Sequence, residues 1–511
     1  MARLVHEFLV SSSREHPHKA AVLHGDRSAS YAEIDALSNR IARMLLNAGL
    51  TRGDRVLVVM ENSIENVAAY YGVLKAGGVC VEIHDRSTPA EAGYYARNSG
   101  ARICILSKAA SRRLEGMELP IVISMETIQG SPGQRIIPWD DLGSVPDSAP
   151  DIQLDENDLA AIVYTSGSTG NPKGVVLTHA NLCSNTRAIV SYLGLNDADR
   201  VMAVLPFYYV YGKTLLNTHF MAGGSVVVNN RFAFPNAVVK EMAEREVTGF
   251  AGVPSTFAIL MNRSIFTKTP LPSLRYVTQA GGAMAPALTR RLIDHLGDVP
   301  LFVMYGATEA SARLTYLPPE RLVKDKLGSI GIPIPGVEVA VRDDAGNELA
   351  DGEVGNICAT GPNIMQGYWQ DPEETAKALK PWGLVTGDLG HKDAEGFLFL
   401  TGRKKDMLKI GGERVSPKEI EDALIASGMV HEAAVVGRPD ELLSEVPAAY
   451  VAPIDEGSFD LESLKAYVAE RLAGHKHPRF WHVVKALPKK PSGKIDKEAL
   501  KNELLHEVRV A

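Results

Sequence analysis

The sequence predicts an α/β protein with a large N-terminal domain, in which two α/β layers carry a small β-barrel-like subdomain, and a small α+β C-terminal domain. Up to about residue 330, apolar strand-like runs alternate with helical patterns, which is typical of largely parallel sheets with helices on their faces. Short β-rich runs with many Gly and Pro residues fill 328–402, as in an antiparallel subdomain. A compact mixture of helix and strand patterns follows to the end of the chain.

The first layer begins with a clear helix signal. Ser30 and Glu33 form a capping box, in which each residue satisfies a free backbone N–H of the other. Apolar residues then recur on one helical face as far as Leu45, and Gly49 suits the position after the helix. A strand, a helix and a second strand are predicted next, at 56–60, about 63–76 and 79–83.

The β-rich region and the last domain have their own signals. Strand-like runs at 337–341, 356–360 and 397–400 predict the antiparallel subdomain. A charged cluster at 403–406 follows, so we place the domain boundary there, with domains 1–402 and 403–511. Ser416 and Glu419 are read as a second capping box with Pro417 at the first helical position. A strand at 433–436 and a helix from about 461 complete the domain.

Length and composition exclude several classes of protein. A chain of 511 residues is too long for one compact core, and its 45% hydrophobic and 23% charged residues are typical of a soluble globular protein. The net charge of −7 argues against a broad nucleic-acid-binding surface. No apolar run reaches the roughly 18 residues that a membrane span needs. The four cysteines are scattered without metal-ligand spacing, so we expect a cytoplasmic protein.

The most informative segment is a loop at 164–174, which follows the apolar run 159–163. It combines hydroxyl residues, glycines and Lys173, and such a loop can turn its backbone N–H groups toward a phosphate. It is not a Walker A motif, because Lys173 follows Gly170 by three residues and is followed by Gly174. It does not match the dinucleotide-binding glycine pattern either. An ordinary surface turn is the alternative interpretation.

Further motifs appear downstream in a fixed order. They are 304–309 (Met-Tyr-Gly-Ala-Thr-Glu), Tyr368 with Trp369, 386–388 (Thr-Gly-Asp), Gly402 with Arg403, and 491–494 (Pro-Ser-Gly-Lys). Together with the loop at 164–174, they resemble the AMP-forming adenylating superfamily of acyl- and aryl-CoA ligases, adenylation domains and luciferases. The resemblance runs from about residue 5 to the end, and the chain is most similar to a standalone acyl-CoA synthetase.

The resemblance implies an acid–thiol ligase that uses ATP, Mg²⁺ and coenzyme A. A carboxylate attacks the α-phosphate of ATP, which gives an acyl-adenylate and pyrophosphate. A thiol then attacks the activated carbonyl group, and AMP leaves. A separate carrier protein with a phosphopantetheine thiol is the alternative acceptor, and a paralogue that only binds nucleotide is a third hypothesis. The partners are therefore a small carboxylic acid and the thiol carrier, and a homodimer is left open.

The resemblance also assigns the nucleotide site. Lys494 is the catalytic residue of the first half-reaction, together with Thr308 and Glu309, and Glu309 is the Mg²⁺ ligand. Tyr305 stacks on adenine, while Asp388 and Arg403 hold the ribose. The remaining ATP- and AMP-binding positions are Thr165, Ser166, Gly167, Ser168, Thr169, Gly170, Lys173, Gly281, Gly282, Ala283 and Gly306.

The two half-reactions of the family imply a mobile C-terminal domain. Lys405 occupies the hinge position between the domains. Rotation about it would withdraw Lys494 and open a thiol tunnel lined by Gly411, Gly412 and Arg414. Two adjacent glycines near a hinge fit this interpretation, although they also fit a simple turn.

The family places the acid pocket at Phe207, Tyr208, Tyr209, Tyr211, Gly252, Gln279 and Gly281. Family members that activate α-amino acids usually have an Asp near here to pair with the ammonium group, but positions 205–216 contain no Asp or Glu. The resemblance therefore implies a non-amino acid of aryl, alicyclic or fatty acyl type. Tyr209 stands where many relatives have histidine. Lys213 is read as a rim or surface lysine, with contact to a second polar group of the substrate as the alternative, and Arg313 is similarly open. Glu82, where a proline is common, is expected to affect strand geometry only.

Overall fold

The structure, a computed structural model, describes residues 2–165, 172–410, 413–440, 442–490 and 494–510, without the side chains of 414 and 505–510. Three sheets organise this part of the chain. Among the described residues no helix combines the length and the apolar character that a membrane crossing requires.

Strands and short helices alternate through the first 317 residues. The strands are β1 (Ala20–His24), β2 (Arg27–Ser30), β3 (Arg55–Val59), β4 (Val79–Glu82), β5 (Ile103–Leu106), β6 (Ile121–Ser124), β7 (Arg135–Pro138), β8 (Leu159–Thr165), β9 (Lys173–Thr178), β10 (Arg200–Ala203), β11 (Ser225–Val228), β12 (Gly249–Gly252), β13 (Tyr276–Gln279), β14 (Leu301–Tyr305) and β15 (Thr315–Leu317). The helices are α1 (Glu7–Glu15), α2 (Tyr31–Asn47), α3 (Ile64–Lys75), α4 (Pro89–Ser99), α5 (Lys108–Arg113), α6 (His179–Leu193), α7 (Val210–Ala222), α8 (Pro235–Glu244), α9 (Pro254–Arg263) and α10 (Pro286–Leu296).

The rest of the chain is richer in strands. These are β16 (Ser329–Pro333), β17 (Glu338–Arg342), β18 (Gly355–Thr360), β19 (Gly367–Tyr368), β20 (Leu379–Lys380), β21 (Gly383–Lys392), β22 (Leu398–Arg403), β23 (Leu408–Ile410), β24 (Glu413–Val415), β25 (Val430–Asp440), β26 (Ser444–Pro453) and β27 (Phe480–Val483). The helices are α11 (Pro319–Lys324), α12 (Pro372–Ala378), α13 (Pro417–Ala426), α14 (Leu461–Ala469) and α15 (Lys497–Val510).

The helix signals of the first layer are confirmed. The Ser30 hydroxyl accepts a hydrogen bond from Glu33 N, and the Glu33 carboxylate accepts one from Ser30 N at 2.7 Å, so α2 begins with a complete capping box. Gly49 follows the helix with a φ of +91°, a left-handed conformation that favours glycine.

The second capping box is wrong in one respect. Ser416 is the N-cap of α13 and Pro417 its first residue, but the Ser416 side chain makes no capping hydrogen bond. Its hydroxyl instead donates to Thr401 O at 2.5 Å. Because Ser416 is buried beside β22, this long-range acceptor replaces the backbone of its own helix.

The smaller N-terminal sheet orders its strands β19-β9-β8-β4-β3-β5-β6-β7. From β8 to β7 the neighbours pair in parallel, whereas β8 and β9 are antiparallel. Thr165 at the end of β8 therefore lies opposite Lys173 at the start of β9. Strand β19, which comes from the β-rich region, pairs with β9 and brings Tyr368 opposite Val175.

The larger sheet runs β17-β18-β21-β22-β16-β15-β14-β13-β12-β10-β11-β1-β2, and β20 pairs with β21. Strands β11, β10, β12, β13 and β14 pair in parallel. Beyond β14 every pairing is antiparallel. The predicted antiparallel subdomain is thus joined to the parallel layer through β15 and β16, and β14 ends where the two meet.

The largest core lies between the two sheets. It combines residues of β3, β4 and β8 with residues of β10, β11 and β12, and the helices α2, α3 and α7 fill the space between them. Phe220 of α7 stacks on Tyr71 of α3 at 5.3 Å between ring centroids and contacts the Tyr31 ring edge-on at 5.1 Å. All three rings are fully buried, and such aromatic pairs add to the free energy of burying their area.

The last part of the chain forms its own sheet, ordered β24-β23-β26-β25, with β27 on β26. Helices α13 and α14 bury Ile420, Leu424 and Leu464 on one side of it. On the other side, α15 contributes Leu500 and Leu504 to a second cluster. This separate core agrees with the α+β pattern, while the exact boundary at 402 and 403 stays a prediction.

Candidate active site

Asp388 lies at the centre of a cluster of predicted site residues. Strands β21 and β22 pair antiparallel with Asp388 directly opposite Arg403, and Arg403 Nε lies 3.1 Å from Asp388 Oδ1. The hydroxyl of Tyr305, the last residue of β14, donates to the other carboxylate oxygen at 2.7 Å. The nearby Asp388 charge raises the pKa of Arg403. Burial, with the Asp388 charge as a further cause, raises the pKa of Tyr305 well above its ordinary value.

The turn after β14 depends on Gly306. A Cβ at this position would lie 1.7 Å from Ala312 O, so the backbone of 306 and the backbone of 312 approach more closely than any side chain allows. The chain between them forms a short 3-10 helix from Thr308 to Ala310. Glu309 is the middle residue of this helix.

Glu309 is held by the β-rich region. Its Oε1 accepts a hydrogen bond from the Tyr368 hydroxyl at 2.7 Å, and its backbone oxygen accepts one from Met365 N at 2.9 Å. Burial and the negative charge of Glu309 raise the pKa of Tyr368. Within the described part of the chain, Oε2 of Glu309 has neither a hydrogen bond nor an ion pair.

Lys494 comes to this site from the last domain. Its pKa is lowered, first by removal from bulk water and then by the positive charge of Arg403, whereas Asp388 and Glu309 act in the opposite direction. Three predicted nucleotide-site residues therefore act on the charge of Lys494. Residue Lys494 itself remains exposed to solvent.

Lys173 begins β9 and is paired with a carboxylate that the sequence did not reveal. Its ammonium forms an ion pair with Glu374 of α12 and lies 5.3 Å from the centroid of the Tyr368 ring. Glu374 also pairs with Lys377 at 2.6 Å. The hydrogen bond from Lys173 is the main cause that lowers the pKa of Glu374.

The structure describes some of the remaining predicted residues and leaves others outside the described ranges. Thr165 ends β8 opposite Lys173, and Thr308 lies in the 3-10 helix next to Glu309. Lys405 lies in a turn between β22 and β23, at the predicted hinge. Arg414 pairs with Lys409 through its backbone. Outside the described residues lie Ser166, Gly167, Ser168, Thr169, Gly170, Gly411, Gly412 and the Arg414 side chain.

The predicted acid-pocket residues divide between two places. Phe207, Tyr208 and Tyr209 line a cavity that is partly open to solvent. The other predicted pocket residues surround the end of β13. The Tyr211 hydroxyl donates a hydrogen bond to Thr278 O of this strand at 3.0 Å. The Arg313 guanidinium lies 4.1 Å from the centroid of the Tyr211 ring. There, Gly252 ends β12, Gln279 donates to Gly282 O at 2.8 Å, and Gly281 has a φ of +85°, with Ala283 following on an exposed stretch.

The interpretation of Lys213 as a rim or surface lysine is wrong. Lys213 is 8% exposed, lines the cavity, and lies 2.6 Å from Glu82 Oε2. Its ammonium also lies 3.8 Å above the Tyr70 ring centroid. The reason is that α7 is buried on all sides, from Tyr211 to Phe220.

Glu82 was expected to affect strand geometry only, and this expectation is wrong too. Glu82 is the last residue of β4, and its side chain lines the same cavity, where its negative charge compensates the positive charge of Lys213. Two features of the sequence could have indicated this arrangement. Apolar residues are spread around α7 and not confined to one face, which indicates a buried helix, and β4 contains one acidic residue in an otherwise apolar strand. Neither signal could identify the pair, because the two residues are far apart in the sequence.

Comparisons with known proteins agree with this geometry. The family of AMP-binding enzymes matches residues 9–369, and the C-terminal domain of AMP-binding enzymes matches 419–494. A feruloyl-CoA synthase of Amycolatopsis sp. is 32% identical over 95% of this chain and 96% of that protein. A long-chain-fatty-acid–CoA ligase of Bacillus subtilis (strain 168) is 30% identical over 99% of this chain and 94% of that protein.

Solved structures give the same result. The anthranilate CoA ligase AuaEII in complex with anthranoyl-AMP has a TM-score of 0.89 and 26% identity, and the match covers 98% of this chain and 97% of that one. The predicted two-domain adenylating fold is confirmed, as is the predicted activity, the ATP-dependent ligation of a carboxylic acid to coenzyme A through an acyl-adenylate. The chain belongs to the family of AMP-binding enzymes.

Proposed function

We propose that this ligase activates its acid in the cleft where Tyr305, Glu309, Asp388, Arg403 and Lys494 come together, and that each residue has the role predicted from the sequence. The observation that carries the proposal is the convergence itself. Residues from β14, β21, β22 and the last domain share one network of charges. Such fixed charges stabilise a transition state without reorganising during the reaction.

Asp388 and Arg403 hold the ribose of ATP in this proposal. Carboxylate oxygens accept two neighbouring hydroxyl donors well, and the register of β21 and β22 fixes the carboxylate beside the guanidinium. Tyr305 stacks on adenine through its ring, while its hydroxyl stays on Asp388. The turn at 281–283 supplies backbone groups to the base.

Glu309 is the proposed ligand of Mg²⁺. The cation typically takes one or two carboxylates together with substrate phosphates, and Glu309 offers one oxygen atom that has no other described partner. Tyr368 holds the opposite oxygen and so fixes the orientation of the carboxylate. Groups of three or more His, Cys, Asp or Glu side chains suited to a metal are absent from the described residues, which agrees with a cation held mainly by phosphates. When bound, the cation offsets phosphate charge.

Lys494 and Lys173 act on the two ends of the triphosphate. Lys494 brings a positive charge to the α-phosphate and the attacking carboxylate, where negative charge builds up in the transition state. Lys173 holds the pyrophosphate end with Thr165 and the loop at 166–170. Its ion pair with Glu374 must open for this, so Glu374 occupies the place of a phosphate charge.

The second half-reaction needs a different arrangement. Hinges absorb rotation in a few residues at the end of an element, and Lys405 lies in the turn between β22 and β23. Rotation there would remove Lys494 and admit the thiol of coenzyme A past 411–414.

The four cysteines are free and buried, which supports the proposal that the enzyme works in the reducing cytoplasm.

The proposal is tested by ATP–pyrophosphate exchange across a panel of aryl, alicyclic, fatty and α-amino acids. We expect exchange with non-amino acids and none with α-amino acids. AMP release is then compared with coenzyme A and with a pantetheinylated carrier protein, and coenzyme A is the expected acceptor. Exchange with α-amino acids alone, or release with the carrier alone, would contradict the proposal.

A further inference from the structure

The cavity between the two sheets contains a buried ion pair that the adenylation chemistry does not use. Its walls come from β4, β8, α6 and α7, and it adjoins Phe207, Tyr208 and Tyr209 of the predicted acid pocket. Lys213 and Glu82 face each other across it at 2.6 Å, with side chains 10% and 8% exposed. Charged groups are costly to bury unless every lone pair and proton finds a partner.

The pair is not fully satisfied. Glu82 Oε1 is buried and has no hydrogen-bond partner in the part of the chain that the structure describes. Besides Glu82, the Lys213 ammonium faces the Tyr70 and Phe207 rings, at 3.8 and 5.4 Å from their centroids. Ring faces attract a cation, but they accept no conventional hydrogen bond.

A second buried lysine shows what a purely structural pair looks like. Lys75, between α2 and α3, lies 2.6 Å from Asp35 Oδ1 and donates to Ser38 Oγ and Asn39 Oδ1, both at 2.7 Å. It also donates to Asp35 O at 3.3 Å. Oxygen atoms of the protein therefore surround Lys75, whereas Lys213 and Glu82 leave hydrogen-bonding capacity unused inside a cavity.

We propose that Glu82 and Lys213 bind a hydroxyl group at the distal end of the carboxylic acid. A hydroxyl can donate to Glu82 Oε1 and accept from the Lys213 ammonium at the same time. A second carboxylate would be repelled by Glu82, an ammonium would be repelled by Lys213, and an apolar end would leave Glu82 Oε1 unsatisfied. The inference rests on the proposed function, because it places the acid in this cavity, and it narrows the substrate to a hydroxylated aryl or acyl acid.

The test compares matched acids in the ATP–pyrophosphate exchange assay. The pairs are 4-hydroxycinnamate with cinnamate and 10-hydroxydecanoate with decanoate, and decanedioate serves as the charged arm. A site that hydrogen-bonds a substrate hydroxyl rejects the analogue that lacks it, and we expect kcat/KM to favour the hydroxy acid by about 10- to 100-fold in at least one pair. Decanedioate should be the poorest of the aliphatic acids.

The double variant Glu82→Leu with Lys213→Met removes both charges together. Replacing a buried ion pair by apolar residues of similar volume is often neutral or stabilising, so the fold should persist. The hydroxyl preference should fall to within about threefold of unity. The matched control is Asp35→Leu with Lys75→Met, which removes a buried pair outside the cavity and should keep the preference, because a ratio of two acids does not depend on the folded fraction.

Calorimetric titration of the enzyme with the same acids, without ATP, measures the affinity for each acid in the absence of turnover. Equal or tighter binding of cinnamate, decanoate or decanedioate would overturn the inference, and so would a hydroxyl preference that survives in the Glu82→Leu, Lys213→Met variant. Absence of exchange with every acid, together with a hydroxyl preference in the titration, would instead refute the proposed function and leave the binding inference intact.

Discussion

Replacement of Asp388 by asparagine tests the proposed ribose site. The substitution preserves the shape of the side chain but removes its negative charge. In the unmodified protein, the Asp388 carboxylate accepts a hydrogen bond from the Tyr305 hydroxyl at 2.7 Å and lies 3.1 Å from Arg403 Nε. The Arg403 side chain is 52% exposed, so solvent screens its pair and the loss costs the fold only about 0.5–1 kcal/mol. The larger effect is expected on ATP, because two ribose hydroxyls would lose a charged acceptor.

The size of the effect on ATP follows from the hydrogen bonds. A hydrogen bond to a charged group contributes about 1 kcal/mol more than one between neutral groups. Two such bonds amount to about 2 kcal/mol, which corresponds to about a 30-fold rise in the KM for ATP. The assay is ATP–pyrophosphate exchange at a saturating concentration of acid, with ATP varied.

Tyr305→Phe is the control for this prediction. It removes the hydroxyl that contacts Asp388 but keeps the ring proposed to stack on adenine, so the KM for ATP should rise less than about fivefold. If Asp388→Asn keeps a KM for ATP within threefold of the unmodified enzyme, the carboxylate does not hold the ribose. An equal rise in both variants would mean that the Tyr305 contact, and not the ribose, accounts for the effect.

Three further predictions concern the surroundings of the site and the fold. Glu374→Gln releases Lys173 from its ion pair, so the KM for ATP should fall by about fivefold in the exchange assay, and a rise would contradict the competition of Glu374 with phosphate. Burial lowers the pKa of His179 from 6.5 to about 3. The contribution of its neutral imidazole to the free energy of unfolding is therefore fully present above pH 6.5 and is lost as the pH falls toward 3. At pH 5 the loss is about 2 kcal/mol, and His179→Asn, which can still accept a hydrogen bond from Val5 N, should reduce the fall of the thermal unfolding temperature between pH 7 and 5. Part of the fall should remain, because burial also lowers the pKa of His6 and His219, and an unchanged slope would refute the prediction. Phe220→Ala removes a fully buried ring and should cost about 3–5 kcal/mol in denaturant titrations, and a cost below about 1 kcal/mol would show that the core refills the space.

Local patterns predicted the elements well because their signals lie within a few residues. The capping box of α2 and the strand–helix–strand alternation after it need only neighbouring side chains, and both are confirmed. Ser416 shows the limit of this reasoning. Its hydroxyl bonds to Thr401 O across the fold, and a distant acceptor of this kind leaves no trace in the sequence around 416.

The site was predictable only in part, for a similar reason. The order of the motifs indicated Asp388 and Arg403, but only the antiparallel register of β21 and β22 brings them face to face. Pairs between distant elements had no signal: Glu374 with Lys173, and Glu82 with Lys213, join residues whose proximity depends on strand order and helix packing. The proposed acid site includes one such pair, Glu82 with Lys213, whereas most of the proposed nucleotide site comes from motifs that are continuous in the sequence.

The most direct test of the account separates the two half-reactions in the variant Lys494→Ala. We expect ATP–pyrophosphate exchange to fall by at least about 100-fold, because the positive charge proposed to act at the α-phosphate is lost. Formation of the thioester from a supplied acyl-adenylate and coenzyme A should stay within a few-fold of the unmodified enzyme, since Lys494 is proposed to be withdrawn for that step. An equal loss of both steps would contradict the assignment of Lys494 to adenylation alone and the two arrangements that follow from it.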